Sequence, residues 1–235
     1  MLHDISFELY EGEVLGIAGL LGSGRTELLR AIFGLDPIDS GEIVVNGESV
    51  GKTSPIVMKA HGVGLTPEDR KRQGLVLPFA VRENLTLASS NRYSSAGILR
   101  PKEARALAEQ MVDSVGIKTP SIDVSTRTLS GGNQQKVVIG NWLNTLPGIL
   151  IMDEPTRGID IQAKEQIFRL VRELAEKGLA VLFVSSELEE VLDLADRILI
   201  MNQGHITGEV RHDEIDLEML MARAMEEIGS DASHN

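Results

Sequence analysis

The sequence predicts an α/β fold built on a largely parallel sheet, and three observations predict it. Short, near-continuous apolar runs recur at Val14 to Ala18, Ile149 to Met152, Leu179 to Val184 and Ile198 to Met201, which is the pattern of strands buried on both faces. Helical periodicity fills the intervals between them, the alternation that makes a parallel sheet. An Asn46-Gly47 pair inside Gly41-Glu42-Ile43-Val44-Val45-Asn46-Gly47 marks a two-residue hairpin turn, hence a small antiparallel flap.

Taken in order, the first strand ends near Ala18 and runs through a glycine-rich turn into a helix over Glu27 to Phe33. Ala104, Leu107, Ala108, Met111, Val112 and Val115 repeat at helical spacing after Pro101, a residue favoured in a first helical turn. Two polar stretches, Ala88 to Gly97 and Lys118 to Thr128, punctuate this region, so the chain from about Leu75 to Thr128 reads as a mostly helical insertion. A helix carrying Val138, Ile139, Trp142, Leu143 and Leu146 follows. Ile167, Leu170, Val171 and Leu174 then form an apolar face, with Lys164, Glu165, Arg169, Arg172 and Glu176 opposite. At the far end Leu217, Leu220, Met221, Ala224 and Ile228 stripe an acidic helix, and Gly229 to Asn235 is expected to fray. The plan is a single domain over 1–235, with a core at 1–74 and 129–212, the insertion at about 75–128 and a C-terminal helix at about 213–228.

Composition excludes several functions. Across 235 residues, 23 lysines and arginines face 35 acidic residues, a formal net charge of −12, which speaks against a broad basic surface for duplex nucleic acid. There is no cysteine, so a disulfide framework, a thiolate metal site and a cysteine nucleophile drop out together. No apolar run approaches the roughly 20 residues of a membrane helix. The opening Met1-Leu2-His3-Asp4-Ile5 lacks the basic flank and apolar core of a secretory signal, and the chain is expected to stay in the compartment where it is made.

Chemistry concentrates in three places. Gly19-Leu20-Leu21-Gly22-Ser23-Gly24-Arg25-Thr26 lies between the first strand and a helix, with the spacing of a nucleotide phosphate loop. Glycines let backbone N–H groups wrap phosphate oxygens closely, and the helix start attracts anions. Gly19, Gly22, Ser23, Gly24 and Arg25 are the expected phosphate contacts, and Thr26 is placed to give its hydroxyl to Mg²⁺. The lysine usual before that hydroxyl is Arg25, a longer, planar, forked cation in place of a compact one.

The second place is Ile149-Leu150-Ile151-Met152-Asp153-Glu154, an apolar strand ending in two carboxylates at the end where such folds bind ligands. Asp153 suits a Mg²⁺ contact. Glu154, pointing the other way if still extended, suits the orientation or deprotonation of a water aimed at a γ-phosphate. Asp160 falls in the loop before the next helix. The third place is Leu129-Ser130-Gly131-Gly132-Asn133-Gln134-Gln135-Lys136, where a hydroxyl, exposed backbone amides and a helix dipole make a second anion clamp. Ser130 reads equally well as an ordinary helix cap.

With the phosphate loop first, this segment second and Asp153-Glu154-Pro155-Thr156 third, the sequence resembles the nucleotide-binding domain of ABC proteins over nearly its whole length. Thr66-Pro67-Glu68-Asp69-Arg70-Lys71-Arg72-Gln73-Gly74-Leu75, the Asn-Gln-Gln of the middle motif and Thr156-Arg157-Gly158-Ile159-Asp160 resemble, more narrowly, the carboxy-terminal ATP-binding half of bacterial monosaccharide importers of the ribose, galactose and xylose type. In that branch two ABC domains share one polypeptide, so this chain is expected to be one half. It begins short of the aromatic residue that usually stacks on adenine; Tyr10, the nearest aromatic, reads as part of a hairpin edge and is not given that role.

The resemblance implies a P-loop NTPase core with a helical subdomain, ATP and Mg²⁺ as ligands, and ATP hydrolysis coupled to sugar import. It also implies a head-to-tail pairing with a second ABC domain, in which Ser130, Gly131, Gly132 and Gln134 complete the partner's ATP site in trans. The further partners it implies are membrane permease subunits and, indirectly, a solute-binding protein, with no nucleic acid. The place it implies is peripheral, on the cytoplasmic face of the inner membrane. Three positions depart from the general family pattern: Arg25; Glu68, where a glutamine usually contacts Mg²⁺ and the transport partner; and Ser186, where a histidine usually reads the γ-phosphate. Together they imply an asymmetric pair, with weak or slow hydrolysis at this chain's own loop and Glu154 retained as a base. Arg70-Lys71-Arg72 reads either as a solvated basic turn or as part of a docking surface for the membrane subunit. The alternatives are a non-transport ABC ATPase acting on nucleic acid or ribosomes, a nucleotide-free regulatory module, and a P-loop kinase or GTPase; the last has no use for Leu129 to Lys136.

Overall fold

A computed structural model describes residues 2–95 and 98–226. In chain order its strands are β1 (Val14–Ala18), β2 (Val44–Val45), β3 (Glu48–Ser49), β4 (Val63–Thr66), β5 (Ser94–Ser95), β6 (Ile98–Leu99), β7 (Ile149–Asp153), β8 (Ala180–Val184), β9 (Arg197–Asn202) and β10 (His205–Arg211). The helices are α1 (Arg25–Ile32), α2 (Pro55–Ala60), α3 (Val81–Thr86), α4 (Pro101–Ser114), α5 (Gly131–Leu143), α6 (Ile161–Glu176), α7 (Leu188–Leu194) and α8 (Leu217–Met225). The chain divides into two compact units, Met1–His61 with Leu174–Asn235, and Gly62–Glu173. The second unit holds the 75–128 segment together with residues on either side of it.

In the first unit, β1 lies parallel between β8 and β9, with Ile17 opposite Val184 and Ala18 opposite Ile200. β10 returns antiparallel along β9. Every residue of β1 and β8 is buried, which is why both read as unbroken apolar runs. α7 approaches β1 so closely that a Cβ at Gly16 would stand 2.6 Å from Val191 Cγ1 and 2.7 Å from Ala195 Cβ. The flap is there as expected: β2 and β3 pair antiparallel around Asn46 (φ 52°) and Gly47 (φ 79°), the two left-handed residues such a turn requires.

In the second unit, β4 and β7 run parallel from Val63 opposite Ile149 to Thr66 opposite Met152. Asn84 of α3 joins the two ends of the inserted segment. Its amide donates to the Val76 carbonyl at 3.0 Å and to Thr126 Oγ1 at 2.9 Å, and its carbonyl accepts from Val76 N–H at 2.8 Å. The segment holds α3, α4 and the two-stranded β5–β6 pair, so it is not wholly helical.

Several features differ from the sequence expectation. β4 is four residues with a glycine inside it, and β10 alternates between half-buried and exposed positions, so neither produces an apolar run. Tyr10 is not on a hairpin edge: Glu13 N–H donates to its carbonyl at 3.2 Å and Gly12 has φ 75°, which turns the chain just ahead of β1. α8 buries Leu220 and Ala224. The expectations for Ile228 and for the fraying tail at Gly229 to Asn235, as well as the Ala96-Gly97 end of one polar stretch, lie outside the described residues.

Candidate functional site

In the first unit, β1 delivers the chain to Gly19. A Cβ there would stand 2.4 Å from the Met201 carbonyl oxygen and 2.5 Å from Ser23 Oγ, so the loop is drawn tight against β9. Ser23 N–H donates to the Leu20 carbonyl at 3.1 Å, and Gly24, at φ 99°, caps α1 with its carbonyl accepting from Leu28 N–H at 2.9 Å. Gly22 has φ 83° and open space where a Cβ would be, and Leu21 beside it is 99 % exposed. Ser23 Oγ is buried with no hydrogen-bond partner. An open glycine loop, an unspent buried hydroxyl and a helix start fit an anionic ligand of the phosphate type. Thr26 is half-buried in the first turn of α1.

Arg25 takes a different direction from a loop lysine reaching for phosphate. It is 8 % exposed, and its Nη1 donates to the Ser185 carbonyl oxygen at 2.6 Å. Ser185 Oγ in turn donates to Glu190 Oε2 at 2.6 Å and accepts from Glu187 N–H at 3.1 Å. Ser186 is exposed on the bend after β8. Because β1 and β8 are parallel, the phosphate loop and this bend leave the sheet at the same end. The fold therefore brings Arg25 to the residue next to Ser186.

In the second unit, Asp153 is buried at the end of β7. The extended backbone assumed for Glu154 is corrected: its φ is 47°, a left-handed conformation that a non-glycine residue adopts at a cost and often at functional sites. The turn that imposes it is closed by Arg157 N–H donating to the Glu154 carbonyl at 3.1 Å. Glu68 lies two residues beyond Thr66, as Glu154 lies two beyond Met152, so both sit past the same end of the β4–β7 pair. The Glu68 carboxylate forms an ion pair with Arg157.

Within the Arg70-Lys71-Arg72 turn, Arg70 is not solvated but buried, while Lys71 and Arg72 are exposed. Its Nη1 donates to the Arg157 carbonyl at 2.6 Å and its Nη2 to the Gly158 carbonyl at 3.0 Å. Burial pushes its guanidinium below the usual arginine range, and Asp69 partly offsets that. Asp69 Oδ1 accepts from Lys71 N–H and Arg72 N–H, which winds a short turn that leaves those two side chains exposed and sends Arg70 inward.

Ser130 is the cap of α5, accepting from Asn133 N–H at 3.4 Å and Asn133 Nδ2 at 2.9 Å, and it is exposed. Gly132 is packed so that a Cβ would stand 2.4 Å from Ala163 Cβ of α6. Gln134 is buried, with Nε2 donating to the carbonyls of Thr126 at 3.3 Å and Leu129 at 3.2 Å, while its Oε1 has no partner. Asp160 Oδ1 accepts from Ala163 N–H at 2.9 Å, capping α6. Among the described residues no group of three or more His, Asp or Glu could hold a metal. Among the described residues no helix is long and apolar enough to cross a membrane.

Sequence reasoning missed two parts: Ser185 as the seat of Arg25, and Arg70 as a buried clamp. The only signal for the second is Asp69, whose side chain is a natural turn former; nothing in Arg70-Lys71-Arg72 says which cation turns in.

The family model described as "ABC transporter" matches residues 2–157. A protein of Rubrobacter xylanophilus named "Ribose import ATP-binding protein RbsA 1" is 48 % identical over 235 residues, which is 99 % of this chain and 46 % of that protein. A protein of Halalkalibacterium halodurans named "Putative ribose/galactose/methyl galactoside import ATP-binding protein" is 47 % identical over 221 residues, 94 % of this chain and 42 % of that protein. The chain spans about half the length of the curated relatives it matches. Among solved structures, the ATP-binding cassette MJ1267 of an ABC transporter aligns with a TM-score of 0.79 at 26 % identity, over 94 % of this chain and 87 % of that one. A dimeric structure of the bacterial ABC transporter cassette MJ0796 aligns at 0.77 and 25 %, over 90 % of each chain.

Proposed function

Because the chain belongs to the ABC transporter family, we propose that it is the ATP-binding half of a bacterial sugar importer of the ribose type, paired head to tail with a second ABC domain. The observation that carries the reading is the Arg25 hydrogen bond to the Ser185 carbonyl. A cation spent on the protein's own backbone serves a triphosphate less well than a free lysine. Its own loop then binds nucleotide with slow turnover, while Ser130, Gly131, Gly132 and Gln134 complete the partner's site. Relatives named for ribose import over the matching half support the sugar class.

In this reading the amides of Gly19 to Thr26 and the Ser23 hydroxyl cradle phosphate oxygens. Bound Mg²⁺ supplies charge neutralisation at those oxygens. The Thr26 hydroxyl, Asp153 and Glu68 are the groups that would hold it, and Arg157 offsets the carboxylate of Glu68. Glu154 orients and accepts a proton from the attacking water, and the Ser186 hydroxyl occupies the position that reads the terminal phosphate. Membrane permease subunits take up the motion, a solute-binding protein delivers the sugar, and the chain sits peripherally on the cytoplasmic face of the membrane.

The test is ATP turnover of the assembled pair carrying Arg25→Ala or Ser130→Arg. Ser130→Arg should abolish turnover, whereas Arg25→Ala should leave most of it. Equal loss from both variants overturns the asymmetric assignment. Failure of the chain to bind a fluorescent ATP analogue would favour the nucleotide-free regulatory module instead.

A further inference from the structure

Resting on that proposed function, we infer that Arg70 is a positioning residue: its forked guanidinium ties the Glu154 to Asp160 turn and the start of the Ser130–Gly131–Gly132 motif to the 66–74 segment.

Three observations meet at this side chain. First, its two terminal nitrogens each hold a carbonyl, those of Arg157 and Gly158, at 2.6 and 3.0 Å. Those carbonyls lie inside the turn that begins at the left-handed Glu154 and ends at the Asp160 cap. Second, a Cβ at Gly131 would stand 2.9 Å from Arg70 Nη2, 3.3 Å from the Gly158 carbonyl oxygen and 3.4 Å from Ile159 Cγ2. The first residue of α5 is thus laid directly against the Arg70–Gly158 hydrogen bond. Third, Arg70 is 9 % exposed, its Nε is buried without a partner, and among the described residues no carboxylate forms an ion pair with it.

A buried cation facing neutral carbonyls is a poor device for stability, since its desolvation is repaid by two hydrogen bonds and only in part by the charge of Asp69, with which it forms no ion pair. What arginine offers here and an apolar side chain does not is a rigid fork that holds two successive carbonyls at once. Glu68 and Arg157 add a second link between the same segments, exposed and therefore weak. A displacement of the 66–74 segment is transmitted by Arg70 to both the Glu154 turn and Gly131.

The test uses this chain assembled with its partner ATP-binding half, reading kcat and KM for ATP in Arg70→Ala, Arg70→Lys, Gly131→Ala and the Arg70→Ala/Gly131→Ala double variant. Arg70→Ala should lower kcat at least tenfold with KM within twofold. Arg70→Lys should recover part of that loss, because an ammonium can keep one carbonyl. Gly131→Ala should cost several-fold alone and little further in the Arg70→Ala background, where the group it collides with is gone. A kcat within twofold of wild type for Arg70→Ala, or an additive double variant, overturns the inference. Should Arg70→Ala fail to fold, the same cycle with Arg70→Lys decides on the same criterion. Carbonyl ¹³C shifts of Arg157 and Gly158 in the chain by itself report the link directly, and unmoved shifts in Arg70→Lys also overturn it. Ser130→Arg serves as the separate control: if it leaves turnover intact, the trans-site reading has failed whatever Arg70 does.

Discussion

Nη1 of Arg25 donates to the Ser185 carbonyl oxygen at 2.6 Å, across 160 positions of sequence. The first residue of α1 is thereby seated on the bend that carries Ser186. Two segments that each bear a departure from the family pattern are thus joined by a charged hydrogen bond. Ser185 extends the link through its hydroxyl to Glu190 at the start of α7.

Arg25→Lys keeps the charge but shortens and narrows the donor, and the Ser185 carbonyl then loses its charged partner in a buried place. Hydrogen bonds to charged groups are worth about 2 kcal/mol. We expect Arg25→Lys to lower the unfolding free energy by about 1–2 kcal/mol, measured by urea denaturation. A variant as stable as wild type would show that the bond contributes nothing in solution.

Gly132 meets α6 at Ala163, where an added methyl would overlap Ala163 Cβ at 2.4 Å. Gly132→Ala should therefore destabilise by about 1–3 kcal/mol, the usual range for overpacking. Ala163→Gly, harmful alone because glycine weakens a helix interior by about 1 kcal/mol, should restore part of the loss when the two are combined. Additive effects in a thermal melt would contradict direct contact.

Lys136 is buried in α5, with Nζ donating to the Gly116 carbonyl and to Gln166 Oε1 at 2.9 Å each. Burial pushes its ammonium below the usual lysine value, and Lys118 adds to the push. An unfolded lysine titrates near about 10.4. Between the lowered folded value and that point the unfolded chain binds more protons than the folded one, so this group's contribution to stability rises with pH. Wild type should gain stability relative to Lys136→Met as the pH rises towards about 10, measured by denaturant unfolding at each pH. An unchanged difference would mean that the ammonium is not desolvated.

The strands that were legible are the ones whose surroundings leave them no choice. β1, β7, β8 and β9 are buried almost throughout, so each is an apolar run. β4 and β10 escaped notice because one is four residues with a glycine and the other has a partly exposed edge. The phosphate loop, the Ser130 cap and the Asn46-Gly47 turn were legible for the same kind of reason: each depends on the backbone conformation or hydrogen bonding of a few adjacent residues. Glu154 was misread as extended because the turn that sets its φ is closed three residues later.

By itself, then, the amino-acid order determined the α/β alternation, the hairpin and the glycine-rich loop ahead of α1, because these follow from local backbone preference and hydrophobic period. Only the tertiary structure decided where the cations go. Arg25 opens α1 and Arg70 opens a short turn, and the neighbours of each allow several directions. Their directions are set by carbonyls 160 and 87 positions away, which no local pattern encodes: a guanidinium buried by packing must find acceptors, and it takes the ones the fold brings to it.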